Sequence, residues 1–193
     1  MELARWIATV DARVRRCNGQ PVSRRVDSTA VGELFRKHGA MVYRRAFRIL
    51  GRHEDAEEAM HEVFIRVIRG GDRFEGRSGL TTWLYEITTN YCLNQLRDRR
   101  RRRELFEENV TPPDDATGAD AADLVLLRRL LAEADEQQAR AVTYVFLDGM
   151  SQEETARLLG VSQRTVSNLI DRFMKWAQAK TAAPAAQSGD KGQ

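Results

Sequence analysis

The chain has 193 residues, of which 42% are apolar and 31% charged, with a net charge of +3. This length suits one medium domain or two small ones, and the balance is that of a soluble globular protein. No apolar run approaches the roughly 18 residues of a membrane span, and the N-terminus lacks the pattern of a secretion signal, so we expect a cytoplasmic protein without membrane insertion. The two isolated cysteines, Cys17 and Cys92, predict neither a disulfide framework nor a zinc site.

The charges are distributed unevenly along the chain. Residues 30–103 carry a net charge of +6, whereas residues 104–123 contain seven acidic residues and no basic one. A basic block followed by an acidic one marks a functional boundary, and the basic block indicates binding to nucleic acid or to an anionic membrane. Charge alone does not choose between these two partners.

Helical periodicity runs through the first part of the chain, and we find no convincing strand. Apolar residues share one helix face over residues 31–50, and Gly51 follows as a typical helix stop. A second helix is predicted to open at a capping box formed by Asp55 and Glu58 and to end at Gly70.

A third predicted helix begins near Leu80 and runs into the arginine-rich segment 97–103. The acidic segment 104–123 contains the pair Pro112-Pro113, and we interpret it as a flexible linker. At about 3.3–3.6 Å per residue it reaches roughly 65–70 Å, almost two turns of B-DNA.

The second part of the chain is helical as well. Ser151 and Glu154 are predicted to form a capping box directly before an apolar stripe. The predicted fold class is therefore all-α, with two small helical domains joined by the acidic linker. The predicted divisions are an N-terminal extension of unknown role (1–30), a first domain (31–103), the linker (104–123), a second domain (124–180) and a disordered tail (181–193).

Residues 152–172 have the pattern of a helix-turn-helix. The small Ala156 lets the two helices approach and Gly160 permits the turn, while three apolar residues pack the second helix onto the first: Val161, Val166 and Ile170. Polar residues remain on the outer face of the second helix, and these residue types suit base edges and phosphates of the major groove. They are Gln163, Arg164, Thr165, Ser167, Asn168, Asp171 and Arg172. We interpret this segment as a DNA-binding element; the alternative is a helical hairpin that only packs.

Aromatic residues precede the arginine-rich segment, together with hydroxyl and amide side chains. Phe74, Trp83 and Tyr85 are the aromatics. Stacking one base contributes roughly 1–3 kcal/mol, comparable with the few kcal/mol needed to extrude a base from a duplex. This combination favours capture of unpaired bases. A core position stays open for Trp83, because it lies near Leu80 and Ile87 on the predicted helix.

The sequence carries no recognisable catalytic constellation. His38, His53 and His61 lack metal-ligand spacing, and neither a glycine-rich phosphate loop nor a nucleophile elbow occurs. We expect no enzymatic activity, no metal and no cofactor.

Taken together, these motifs resemble the extracytoplasmic-function class of bacterial RNA polymerase sigma factors over about residues 31–178. Asp55-Ala56-Glu57-Glu58-Ala59-Met60-His61-Glu62-Val63-Phe64 is similar to region 2.2 of that family. Phe74-x-Gly76-x-Ser78-x-x-x-Thr82-Trp83-Leu84-Tyr85, with Asn90 and the arginines that follow, is similar to regions 2.3 and 2.4. Leu147-Asp148-Gly149-Met150-Ser151-x-Glu153-Glu154-x-Ala156 is similar to region 4.2.

The resemblance implies a promoter-specificity subunit that binds core RNA polymerase and helps to open promoter DNA. The helix over 55–68 would dock on the clamp helices of the β′ subunit, and the second domain would meet the β flap. The implied polymerase contacts are Glu58, His61, Glu62, Phe64 and Arg66. The implied contacts to the −10 element are Phe74, Arg77, Ser78, Thr82, Trp83, Asn90, Arg97, Arg99 and Arg100. Those to the −35 element are Ser162, Gln163, Arg164, Thr165, Ser167, Asn168 and Arg172.

The family resemblance also implies an anti-sigma partner that holds such proteins silent, and an acidic linker that threads through the polymerase. Three departures from the family pattern are visible. His61 stands where the family usually has Gln, and Ile68 stands where it often has an aromatic residue. Ser167, Asn168 and Leu169 follow a Thr-Val pair where basic residues are frequent, and this third departure predicts an unusual −35 sequence.

Two other classes of function were weighed. A stand-alone helix-turn-helix regulator would need a self-dimer to read two half-sites, and no heptad seam is visible outside the predicted cores. A nucleic-acid-processing enzyme does not fit the lack of catalytic motifs. The sigma-factor interpretation is therefore the leading one.

Overall fold

The computed structural model describes residues 28–70, 79–106, 114 and 121–182. These residues form α-helices and one π-helical turn, and the described ranges contain no strand. The helices are α1 (Ser28–Leu50), α2 (His53–Gly70), α3 (Leu80–Phe106), α4 (Ala121–Glu133), α5 (Glu136–Val142), α6 (Gln152–Leu159) and α7 (Gln163–Ala182), with the π-helical turn (Thr143–Leu147) between α5 and α6. The all-α prediction is confirmed.

The chain divides into two compact units, and the boundary falls within α3 between Gln95 and Leu96. None of the helices in the described ranges is both long enough and apolar enough to cross a membrane.

The first unit is built around the junction between α1 and α2. Gly51 ends α1 with a φ of 77°, and its N–H donates to the Phe47 carbonyl at 2.7 Å, as a helix stop requires. The capping box predicted at Asp55 and Glu58 is wrong, because α2 begins two residues earlier, at His53. The Asp55 carboxylate instead lies 3.5 Å from Nε of Arg52.

Helix α3 is fastened to α1 by a buried arginine. Arg45 is 5% exposed, and its Nε and Nη2 donate to Oγ1 of Thr89 at 2.9 and 2.6 Å. Its guanidinium also lies 3.4 Å from the centre of the Tyr85 ring. Burying a cation is unfavourable unless its N–H groups and charge find partners, and these contacts supply them.

The helices on either side of the acidic segment are longer than the sequence predicted. Helix α3 continues to Phe106 and α4 already begins at Ala121, so residues 104–106 and 121–123 are helical. The predicted linker, 104–123, is therefore too long by three residues at each end. The reason is local: Glu104 lies one turn after Arg100 and accepts a hydrogen bond from its Nε at 2.7 Å, which extends the helix.

In the second unit α4 is followed by α5, and Asp135 caps α5. The Asp135 carboxylate accepts hydrogen bonds from the backbone N–H groups of Gln137 at 3.0 Å and Gln138 at 3.4 Å. Val145 and Phe146 follow Ala141 and Val142 at the spacing of one apolar helix face, which predicts that both are buried. Phe146 is instead 54% exposed and Tyr144 is fully buried, because the π-helical turn changes the angular spacing of side chains.

Candidate nucleic-acid and partner interfaces

Helices α6 and α7 form the predicted helix-turn-helix. Ser151 caps α6: its Oγ accepts from the Glu154 N–H at 3.2 Å, and the Glu154 carboxylate accepts from the Ser151 N–H at 2.8 Å. The carboxylate also accepts from Ser151 Oγ at 2.8 Å, and the hydrogen bonds from the Ser151 N–H and Oγ lower the pKa of Glu154. Gly160 makes the turn with a φ of 66°, a left-handed conformation that favours glycine. The predicted capping box and turn are both confirmed.

The packing between these two helices is also as predicted. Ala156, Val166 and Ile170 form a buried cluster, and Val161 packs against it. This core fixes the angle at which α7 leaves the turn and therefore holds one face of α7 in solvent.

The exposed face of α7 carries the predicted −35 side chains. Gln163, Arg164, Asn168 and Arg172 are exposed, and Ser167 is partly exposed. Ser162 and Thr165 have a second role at the start of the helix. Oγ of Ser162 accepts from the Thr165 N–H at 3.1 Å and lies 2.8 Å from Thr165 Oγ1, so this pair forms the N-cap of α7.

Helix α3 brings some of the predicted −10 residues together. Thr82, Trp83 and Asn90 are all partly exposed, which leaves Trp83 with surface for a ligand as well as a packed side. The Asn90 Oδ1 atom is buried and has no hydrogen-bond partner among the described residues. The predicted contacts Phe74, Arg77 and Ser78 lie outside the described residues.

The arginine-rich end of α3 is only partly available as a cationic surface. Arg97, Arg99 and Arg100 are partly buried, whereas Arg101 and Arg102 are exposed. Arg100 pairs with Glu104 at 2.7 Å, and Arg101 lies 3.8 Å from Asp98. These acids neutralise part of the charge that a phosphate backbone would meet.

Helix α2 carries three of the predicted polymerase contacts in one stripe, at spacings of four residues: Glu58, Glu62 and Arg66. We call these three residues the α2 stripe. Nε of Arg66 lies 3.4 Å from Oε1 of Glu62, and half of the Arg66 side chain is exposed. His61 lies one residue away and is partly buried.

The predicted polymerase contact at Phe64 is wrong. The Phe64 side chain is fully buried, and its ring centre lies 5.1 Å from that of Phe35 in α1. A side chain without exposed surface cannot touch a partner, so Phe64 serves the core of the first unit. The apolar periodicity of α2 already contained this information, since Phe64 follows Val63 on the buried side.

Tyr91 of α3 lies beneath the α2 stripe and was missed as a candidate. The guanidinium of Arg66 lies 4.7 Å from the centre of the Tyr91 ring, and Gln95 Nε2 donates to the Tyr91 hydroxyl at 2.7 Å. Burial is the largest cause of a raised pKa of Tyr91, and the charges of Glu58 and Glu62 raise it further. The only sequence signal was the helical spacing of Tyr91, which predicts an ordinary apolar position.

The described ranges contain no group of three or more His, Cys, Asp or Glu side chains that could hold a metal ion. The candidate interfaces described above consist of arginines, carboxylates, amides, hydroxyls and aromatic rings.

Two family descriptions match the chain, one in each half. The family description "Sigma-70 region 2" matches residues 34–102, and "Sigma-70, region 4" matches residues 124–176. Together these two matches define the class of protein as a sigma factor of the sigma-70 type. The ECF RNA polymerase sigma factor SigM of Mycobacterium tuberculosis is 32% identical over 142 residues, covering 74% of this chain and 72% of SigM.

A second relative is the ECF RNA polymerase sigma factor SigE of Mycolicibacterium smegmatis, 33% identical over 172 residues, covering 81% of this chain and 64% of SigE. Among solved structures, CnrH in complex with the cytosolic domain of CnrY gives a TM-score of 0.47 at 20% identity, covering 93% of this chain and 96% of that one. The chain belongs to the ECF RNA polymerase sigma factors. It is an alternative sigma factor, which directs core RNA polymerase to promoters, and the stand-alone regulator is not favoured.

Proposed function

We propose that three surfaces of this sigma factor have separate functions in transcription initiation: polymerase docking, −10 recognition and −35 recognition. The α2 stripe docks on the clamp helices of the β′ subunit. Its carboxylates and guanidinium lie on one exposed side of α2, and the opposite side packs into the core, which supports a docking role for the outward side. His61 lies at the edge of this surface.

The second surface is the partly exposed side of α3. Thr82, Trp83 and Asn90 accept unpaired bases of the −10 element, together with Phe74, Arg77 and Ser78 before the helix. The support is chemical: an aromatic ring, a hydroxyl and an amide lie on one helix that also carries Arg97, Arg99 and Arg100 for the phosphates.

The third surface is the exposed face of α7, which reads the −35 element as duplex DNA. One observation carries this part of the proposal: a capped and fully packed helix-turn-helix leaves only polar side chains on the first half of α7 facing solvent. Arg164 and Arg172 suit phosphates or guanine, and Gln163 and Asn168 suit adenine.

The remaining parts of the proposal follow from the family. The polymerase performs the phosphoryl transfer, and this chain contributes no catalytic residue and no cofactor. An anti-sigma factor holds the protein silent in the cytoplasm, and the second unit meets the β flap.

In vitro transcription tests the proposed function directly. Bacterial core polymerase, the full chain and a pool of random-sequence promoters are combined, and the transcripts are sequenced. We expect discrete start sites that appear only with the protein and share a −10 and a −35 sequence. The proposal would be refuted if no start sites appeared and the protein did not bind core polymerase.

A matched pair of variants assigns the −35 surface. Asn168→Ala removes an exposed amide near the start of α7, and Gln178→Ala removes one ten residues later, about 15 Å along the same helix. We expect Asn168→Ala to change the base preference at one −35 position and Gln178→Ala to leave the promoter sequence unchanged. If both variants changed the −35 base preference equally, the assignment of −35 recognition to the first half of α7 would be wrong.

A further inference from the structure

Arg66, one residue of the α2 stripe, contacts a side chain of another helix. Arg66 is exposed over half of its side chain, yet its guanidinium stacks 4.7 Å from the centre of the Tyr91 ring in α3. Tyr91 itself is 6% exposed, so its ring is almost completely packed inside the first unit. The Tyr91 ring therefore packs beneath the Arg66 guanidinium.

Two contacts hold Arg66 from different directions. Glu62 lies one helical turn earlier and pairs with Nε of Arg66 at 3.4 Å, while the guanidinium carbon lies over the Tyr91 ring, 4.7 Å from its centre. A free arginine side chain loses rotamer freedom when a partner fixes it, and that loss weakens binding. An arginine already held by a carboxylate and a ring loses less on docking.

The Tyr91 ring is itself fixed from behind. Gln95, one turn further along α3, donates from Nε2 to the Tyr91 hydroxyl at 2.7 Å. The resulting row joins Glu62, Arg66, Tyr91 and Gln95 across two helices. Burial and this hydrogen bond together restrict the orientation of the Tyr91 ring.

We propose that Tyr91 is a positioning residue for polymerase docking: its ring holds Arg66 of α2 in the orientation in which the polymerase receives it. Tyr91 does not touch the polymerase and acts only through Arg66. This inference rests on the proposed docking role of the α2 stripe.

A double-mutant cycle separates this role from a structural one. The dissociation constant for core polymerase is measured for the wild type, Tyr91→Leu, Arg66→Ala and the double variant, all as full chains. We expect Tyr91→Leu to weaken binding about two- to five-fold, the effect of losing one exposed cation–π contact. In the Arg66→Ala background the same change is expected to have no further effect.

Conservative variants keep the test informative if Tyr91→Leu loosens the fold. Tyr91→Phe keeps the ring and loses only the hydroxyl bond to Gln95, so we expect it to retain most of the polymerase affinity. Gln95→Ala removes the same bond from the other side and is expected to match Tyr91→Phe.

Two results would overturn the inference in distinguishable ways. Equal weakening by Tyr91→Leu in both backgrounds would make Tyr91 a purely structural residue. If Arg66→Ala bound core polymerase as tightly as the wild type, Arg66 would not be a polymerase contact, and this inference would be wrong. The sigma activity is scored separately by start sites in the transcription assay, so either result can occur while the proposed function stands.

Discussion

Asp114 caps the first turn of α2 although it lies 61 residues further along the chain than His53. Its carboxylate Oδ2 accepts a hydrogen bond from the His53 backbone N–H at 2.7 Å, and its own N–H donates to the Gly51 carbonyl at 2.8 Å. The N–H groups of a first helical turn have no partner within the helix, and a carboxylate there also interacts favourably with the helix dipole. A residue predicted to belong to a free linker therefore completes a helix of the first unit.

Removal of this cap should destabilise the first unit. We expect Asp114→Ala to lower the free energy of unfolding by about 1 kcal/mol, the usual effect of losing an N-cap side chain. Hydrogen exchange at the His53 amide, read by mass spectrometry together with thermal unfolding, measures both the local and the global effect. Asp114→Asn keeps an oxygen acceptor and should lose less.

Asp115→Ala is the control for the Asp114 variants, since it removes the neighbouring charge from the same acidic segment. Unchanged protection of the His53 amide in Asp114→Ala would contradict the capping role.

Phe64→Ala should unfold the first unit rather than merely weaken polymerase binding. The ring is fully buried against Phe35, and replacing a buried Phe by Ala costs about 3–5 kcal/mol. Urea unfolding followed by circular dichroism measures the loss. Glu58→Ala, an exposed change on the same helix, should leave stability within about 0.5 kcal/mol. A stable Phe64→Ala protein with weak polymerase binding would restore Phe64 as a contact.

The stability of the protein should fall in mildly acidic solution because of His38. Burial, and to a lesser extent the charge of Lys37, lower the pKa of His38 below its ordinary value of 6.5. The unfolded chain therefore takes up this proton first as the pH falls. The stabilisation by neutral His38 is present above pH 6.5 and is lost as the pH falls through the folded-state pKa.

Urea unfolding at pH 7.5, 6.5 and 5.5 tests this assignment, a range that lies above the titration of ordinary carboxylates. We expect His38→Gln to flatten the decline between pH 7.5 and 5.5. The same slope in the wild type and in His38→Gln would assign the decline to other groups.

Gly160→Ala should strain the turn of the helix-turn-helix without a steric clash. The φ of Gly160 is 66°, and an added Cβ would meet no atom within 4 Å, so only the backbone conformation is unfavourable. The expected loss of stability is about 1–2 kcal/mol. Gly160→Asn should lose less, because Asn tolerates this conformation. Thermal unfolding of the two variants checks the order, and equal stability of Gly160→Ala and the wild type would exclude strain here.

Much of the second unit follows from short-range sequence patterns. The capping box of Ser151 and Glu154, the turn at Gly160 and the packing of Val166 on Ala156 were all predicted and are all present. Each depends on residues within a few positions of one another or on the repeat of a single helix. Family membership followed from the same local motifs.

The predictions were wrong where two local patterns were possible, or where residues far apart in the sequence determine a helix cap or the burial of a side chain. Asp55 and Glu58 have the spacing of a capping box, yet α2 starts earlier and takes its cap from Asp114. The apolar repeat did not show that the π-helical turn would bury Tyr144 and expose Phe146. The motif resemblance suggested Phe64 as a contact, whereas packing against Phe35 buries it.

The sequence by itself determined the all-α class, the helix-turn-helix and the sigma-factor family, because caps, turns and helical repeats act over three or four residues. Only the tertiary structure decided which side chains support the interfaces. Arg45 meets Thr89 across 44 residues, and Asp114 meets His53 across 61. Such pairs form because packed helices bring distant groups together and buried or terminal polar groups require partners, a condition that no local spacing encodes.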